Sequence, residues 1–250
     1  MVKNKPKIVA VIQARMGSTR LPGKVLKELL GQPMLWHVVN RVHQAKTLAE
    51  TVVAATNQPE DDAIVKLCER QDWAYFRGSV EDVLDRYYRA ALAFKADIIV
   101  RLNADCPLID PHIIDKVIKA HLSSGADYTF CGVTGGFPLG LDTEVFNFKI
   151  LERTFKEAKK DFEREHVTPY IYEHPDIFKI NSVKATGKLK HPDLRLTVDT
   201  KEDFKLIEAI YQRLYRNGKI FYIEDVIDLL DKHPELTAIN AGIRQKKLGE

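Results

Sequence analysis

Four short apolar runs punctuate the chain: KIVAVIQA (7–14), TVVAAT (51–56), DIIVRLNA (97–104) and LRLTV (194–198). Each is rich in β-branched residues and bounded by polar or turn residues, a pattern that predicts strands. The stretches between them carry apolar residues three and four apart, which predicts amphipathic helices. These are PMLWHVVNRVHQA, with Pro33 in the first turn, EDDAIVKLCERQ, VEDVLDRYYRAALAF, PHIIDKVIKAHLSS and KEDFKLIEAIYQRLYRN. Strands separated by helices of this length favour parallel pairing through right-handed crossovers, hence a doubly wound α/β sheet.

The rhythm breaks between residues 126 and 185. DYTFCG, LDTEVFNF and IFKINSVKA read as strands around helices at 149–160 and 163–173, an antiparallel extension or small lobe. The aromatics of DRYYRAALAF and YIEDVIDLL recur at helical spacing and belong to core or to a dimer surface. The tail from 235 to 250, with Lys246 and Lys247, reads as a helix that frays. With no internal repeat, low-complexity tract or Pro/Gly/Ser-rich linker, residues 1–250 are expected to form a single domain.

Composition narrows the partners. A chain of 250 residues that is 45% hydrophobic and 29% charged can bury one sizeable core. The net charge of +3 comes from 38 basic against 35 acidic side chains, so no broad basic surface for nucleic acid is implied and any anion site must be local. Cys68, Cys106 and Cys131 are odd in number and lack metal-site spacing, which fits reduced thiols. No signal peptide or membrane-spanning run is legible, and the expected location is the cytoplasm.

The informative stretch is VIQARMGSTRLPGKVL (11–26), where an apolar strand opens into a loop with two glycines and three cations. Ligands in open α/β sheets bind beyond the carboxyl ends of strands, and the first exit loop is a favoured phosphate position. Gly17 and Gly23 can aim backbone N–H groups inward, while Arg15, Arg20 and Lys24 can neutralise phosphate oxygens. A Walker A loop is excluded: STRLP between the glycines is one residue too long, and Val25 stands where Ser or Thr is needed. The three-glycine dinucleotide fingerprint is also missing. A solvated basic turn is the alternative.

IQARMGSTRLPGK resembles the nucleotide-binding loop of the sugar-acid cytidylyltransferases, and most nearly the group named for spore-coat polysaccharide biosynthesis. The 3-deoxy-manno-octulosonate and acylneuraminate enzymes are wider relatives. The resemblance continues in order through FRGSVEDVLDRYYRAA (76–91), VRLNADCPLIDP (100–111), PLGLDTEVF (138–146), EREHVTPY (163–170) and LRLTVDTKEDF (194–204). It implies a Rossmann-like nucleotidyltransferase with a mostly parallel mixed sheet and a small antiparallel extension. It also implies CTP and a sugar acid as substrates, a CMP-sugar and pyrophosphate as products, Mg²⁺ as cofactor, and a homodimer.

The same resemblance carries site roles onto this chain. Gln13, Ala14, Arg15, Gly17, Ser18, Thr19, Arg20 and Lys24 would hold the nucleotide, joined by Arg77 and Asn103, with Arg15, Lys24 and Asp105 closest to the chemistry. Asp105 and Asp199 each follow an apolar run and would bind the metal, since Mg²⁺ is commonly shared between carboxylates and phosphate oxygens. Either could instead cap the helix that follows, as Asp110 is expected to do. Glu144, His166 and Arg195 are candidates for the acceptor, with Arg164 and Asp142 nearby in the pattern; His166 is also the suggestive general base. Arg77, Ser79 and Asp82 read equally well as a capped helix start. Another acceptor, glycosyl transfer from a preformed nucleotide sugar, and a nucleotide-binding subunit without catalysis are the competing functions.

Overall fold

A computed structural model describes residues 5–216 and 219–245. Its strands are β1 (Ile8–Gln13), β2 (Glu28–Leu29), β3 (Gln32–Pro33), β4 (Glu50–Thr56), β5 (Ala74–Gly78), β6 (Ile98–Asn103), β7 (Tyr128–Cys131), β8 (Thr143–Asn147) and β9 (Ile180–Ser182). Its α-helices are α1 (Met34–Val42), α2 (Asp62–Arg70), α3 (Val83–Ala93), α4 (Pro111–Ser124), α5 (Phe148–Glu157), α6 (Asp161–His166), α7 (Pro169–Tyr172), α8 (Lys201–Leu214) and α9 (Ile223–Lys232).

Seven strands form one mixed sheet in the order β5-β4-β1-β6-β8-β7-β9. β5, β4, β1 and β6 are parallel, whereas β8 runs antiparallel to both its neighbours. The irregular region is therefore no separate lobe: β7, β8 and β9 continue the main sheet, and β8 alone is reversed. Both faces of β1 are buried, Ile8, Ala10 and Ile12 in one hydrophobic cluster and Val9 and Val11 in the other. Helices α1, α2, α4, α8 and α9 cover the first face, and α3, α5 and α7 the second. Such two-sided burial is why the strand reads as a continuous apolar run.

Three expectations are corrected. LRLTV at 194–198 does not join the sheet. Arg195 makes one isolated bridge with Leu139, and its neighbours bond to loops: Leu196 N–H donates to Leu139 O, and Val198 N–H to Asp105 O. Its apolar side chains are needed to fasten this crossing segment to the core, so composition alone looks like a strand. The helix expected at 163–173 is broken into α6 and α7, because Val167 has φ 73° and Pro169 starts a new turn. Third, β5 and the β2–β3 hairpin had no predicted counterpart; Leu30 and Gly31, both with positive φ, make the hairpin's two-residue turn. The expected tail helix begins as a 3₁₀ helix, Pro234–Ile239, while Lys246 and Lys247 lie outside the described residues.

Candidate active site

β1 delivers Gln13 to the carboxyl edge of the sheet, next to Asn103 at the end of β6. The chain then folds back on itself: Met16 O accepts from Ser18 N–H and Gly23 N–H, at 2.8 and 3.0 Å. Buried Asp61 anchors the loop by accepting from Met16 N–H at 2.7 Å and from both the amide and hydroxyl of Thr56. Gly23 sits at φ 68°, a left-handed conformation that favours glycine, whereas Gly17 has ordinary φ and open space around a would-be Cβ. The Gly23 N–H is spent on Met16 O, so this glycine shapes the loop and does not offer its own amide to the cleft. The turn it permits starts a 3₁₀ helix at Lys24–Leu26 and sends Lys24 inward.

Lys24 is the centre of the site. Only 8% exposed, it donates through Nζ to Asp105 Oδ2 at 2.7 Å, to Val198 O at 2.7 Å and to Asp199 Oδ1 at 2.9 Å. Asp199 is also paired with Arg20 at 3.0 Å and Arg195 at 2.8 Å. Arg195 is in turn held by buried Asp203, which accepts from Asn240 Nδ2 and caps α8 through the Asp199 and Thr200 amides. Burial alone would raise the Asp199 pKa; Lys24, Arg195 and Arg20 overcome it and hold the carboxylate below its ordinary value. Burial likewise opposes the ammonium of Lys24, and the two aspartates overcome it and raise its pKa.

Around this cluster lies a cleft of about 1080 Å³. Gln13, Ala14, Arg15, Ser18, Thr19, Arg20, Lys24, Asn103, Asp105, His166 and Asp199 all line it, so strand ends, loop and α6 converge on one cleft. Gly17, Arg77, Glu144 and Arg195 do not line it. Arg77 instead staples the ends of β4 and β5, donating to Thr56 O and Gln58 O at 3.0 Å and pairing with Asp62 at 2.7 Å. Glu144 is consumed by Arg101, Tyr128 and Thr168. Arg195 stands behind Asp199 and positions it.

Ser79 and Asp82 form the capped start of α3: Ser79 Oγ accepts from Asp82 N–H and Asp82 Oδ1 from Asp85 N–H. Arg164 clamps Asp82 from α6, tying the two helices at the cleft mouth. Asp110 caps α4 as expected. His166 is kept toward its neutral form, chiefly by burial, with the Arg101 charge adding to the effect against Glu165. Sequence reasoning missed Val83, Arg86, Lys160, Phe162 and Gln245 in the lining. Val83, Arg86 and Phe162 are helix positions that read as ordinary packing, and only the fold turns them, with Lys160 and Gln245, to the cleft.

A divalent cation can be tested against this donor set. Asp105 and Asp199 place oxygens within 2.9 Å of a single point, where the Lys24 ammonium sits. Among the described residues no group of three His, Cys, Asp or Glu side chains could hold a metal unaided. Two hard carboxylates plus ligand phosphate oxygens and water suit Mg²⁺, so the residues fit an ion that arrives with a nucleotide.

Comparison with known proteins decides the family. The cytidylyltransferase family model matches residues 9–227. The chain belongs to the cytidylyltransferase family. An uncharacterized protein of Methanocaldococcus jannaschii, MJ1063, is 42% identical over 246 residues, 98% of each chain. The spore coat polysaccharide biosynthesis protein SpsF of Bacillus subtilis is 39% identical over 233 residues, 91% of this chain and 95% of that one. The solved structure of a cytidylyltransferase from Leptospira borgpetersenii superimposes with a TM-score of 0.88 at 30% identity, covering 97% of this chain and all of the other.

Proposed function

We propose that this cytidylyltransferase transfers CMP from CTP to a sugar acid, releasing pyrophosphate. The observation that carries the reading is the Lys24–Asp105–Asp199 cluster at the mouth of β1, beside Arg15 and Arg20. A buried, doubly paired ammonium with two arginines beside it suits a polyanion that exchanges partners with it. The sugar acid is supported by the octulosonate-like motifs and by the polysaccharide role in the name of SpsF.

Arg15, Arg20 and Lys24 bind the triphosphate and hold the α-phosphorus in line for attack by the acceptor oxygen. Among the described residues the amides of Arg15, Thr19 and Arg20, all in the cleft lining, have no protein acceptor and would add donors to the phosphate oxygens. As the new P–O bond forms, the bond between the α-phosphorus and the leaving pyrophosphate breaks. Negative charge grows on the bridging and non-bridging oxygens, where fixed cations stabilise it. Asp105 and Asp199 would hold Mg²⁺, which when bound supplies charge neutralisation at these oxygens. His166, kept toward its neutral form by burial on the α6 wall, would accept the acceptor's hydroxyl proton at a ring nitrogen.

The test is pyrophosphate release from CTP, UTP, ATP and GTP with Mg²⁺ and a panel of eight- and nine-carbon ulosonic acids. CTP-dependent release requiring one acid, with the CMP-sugar detected by mass spectrometry, is expected. Release with none of the acids, but with a phosphorylated acceptor, would move the substrate assignment.

A further inference from the structure

Arg41, on α1, is a buried cation that forms no ion pair among the described residues. It is 3% exposed and donates through Nε to Ile109 O at 2.7 Å and through Nη2 to Phe221 O at 2.8 Å. Nη1 has no acceptor among the described residues, yet it is not one of the polar atoms sealed in the core without a partner. The Phe221 ring, 4.9 Å from the guanidinium carbon, offsets part of the cost of burying the charge. Two neutral carbonyls and a ring still leave a whole positive charge uncompensated, where buried charges are ordinarily paired.

The side chain lines a second cavity, of about 170 Å³, between α1 and α8. This cavity shares no lining residue with the catalytic cleft, and no carboxylate lines it. Trp36, His37, Tyr211 and Tyr215 wall it with rings, His37 meeting the other three edge to face at centroid distances of 4.7 to 5.4 Å. His37 Nε2 donates to Leu29 O at 2.7 Å, since a carbonyl only accepts, and burial with the Arg41 charge lowers the pKa of the ring. The ring therefore adds no second charge, and Arg41 sets the sign of the cavity. At about 170 Å³ the space is below the roughly 300–1,000 Å³ of pockets for drug-sized ligands, so it admits a single ring and not a nucleotide.

We propose that this cavity is a second binding site, for a small planar carboxylate: the ring of the ligand lies between the aromatic walls, and its carboxylate accepts from Arg41 Nη1. A charge-assisted bond of this kind gives the buried guanidinium the anion that the protein does not supply. The rings favour a flat organic anion over inorganic phosphate, which has no face to present to them. The site is independent of the reaction proposed at Lys24, but its walls also brace that centre. Arg41 holds Ile109 O and Tyr211 holds Pro107 O, at 2.7 and 2.6 Å, on the turn that follows Asp105.

The test uses the full chain carrying Trp73→Phe, in which Trp36 is the one remaining tryptophan, and follows its fluorescence during titration with benzoate, benzamide and inorganic phosphate. Benzoate is expected to give a saturable change, with an affinity at least about tenfold above that of the neutral benzamide and of phosphate. Asn40→Phe, added to the same chain, fills the cavity while the Arg41 bonds to Ile109 and Phe221 stay in place, and should weaken benzoate by at least about tenfold. It carries the test should Arg41→Met, which strips both carbonyls of their donor, fail to fold. Tripolyphosphate, which the catalytic cleft should take, is expected to change benzoate affinity by less than about threefold. Equal affinity for benzoate and benzamide, tighter binding of phosphate, no saturable signal, or benzoate binding that survives Asn40→Phe would each overturn the site. Displacement of benzoate by tripolyphosphate would overturn it too, by placing the anion in the catalytic cleft.

Discussion

Replacing Lys24 with methionine isolates the role of the central ammonium while keeping the buried stem. Nζ bonds to Asp105, Asp199 and Val198 O within 2.9 Å, so the variant strips one charge-assisted partner from each carboxylate. Removing one member of a buried pair costs about 3–5 kcal/mol. Asp199 keeps Arg20 and Arg195, and the Asp105 side chain is 27% exposed and can recruit water, so we expect a loss of about 2–3 kcal/mol. Loss of a donor aimed at developing charge should lower kcat by about 100- to 1000-fold.

The same variant leaves two carboxylates facing a point that no cation fills, so Mg²⁺ alone should now stabilise the protein. A dissociation constant near 1 mM would give about 1.4 kcal/mol at 10 mM, or roughly 3–5 °C in melting temperature. The wild type, whose ammonium holds that point, should move by less than about 1 °C. Thermal unfolding with and without MgCl₂, beside steady-state pyrophosphate release, reads both effects. Equal Mg²⁺ shifts in the two proteins, or a Lys24→Met kcat within about threefold of wild type, would refute the reasoning. In the wild type the raised Lys24 pKa adds stability that is fully present below pH 10.5 and is lost as pH climbs through the folded value. The lowered Asp199 pKa adds stability present above pH 3.8 and lost as pH falls through its folded value.

Two further perturbations probe the supports of the site. Gly140 has φ 106°, and a Cβ there would come 2.7 Å from Leu196 C and 2.8 Å from Thr197 N. Gly140→Ala should therefore displace the segment that carries Asp199, costing about 1–3 kcal/mol from backbone strain alone and lowering kcat, as denaturant unfolding and turnover would show; wild-type values for both would contradict the close packing. Burial raises the Asp142 pKa to about 6, against the Gly140 amide hydrogen bond that favours its ionised form. The folded protein then binds more protons than the unfolded chain between pH 3.8 and about 6, so stability falls as pH rises through that window. Asp142→Asn should melt higher than wild type at pH 8, by up to about 3 kcal/mol, and match it near pH 3.5; a pH-independent difference would show that ionisation of Asp142 is not the cause.

Local pattern was enough to place the strands buried on both faces and the long amphipathic helices, because each repeats its burial signal over a few neighbouring residues. β1, β4, β6 and α4 stand where the apolar pattern puts them, α4 with its Pro111–Ser124 span complete. The cationic loop was legible for the same reason, since a strand end, a left-handed Gly23 and inward Lys24 follow from adjacent residues. Whatever depends on partners far along the chain emerged only once the chain was folded. LRLTV is as apolar as a strand, yet the loops at Leu139 and Asp105 take its hydrogen bonds. Glu144 and Arg77 look like free binding groups until Arg101, Tyr128, Asp62 and two backbone carbonyls claim them. Arg41 looks like one more charged position on a helix until Ile109 O and Phe221 O claim two of its nitrogens beside a cavity walled by rings. A side chain's chemistry is set by its type, but its availability is set by which distant groups the fold brings against it.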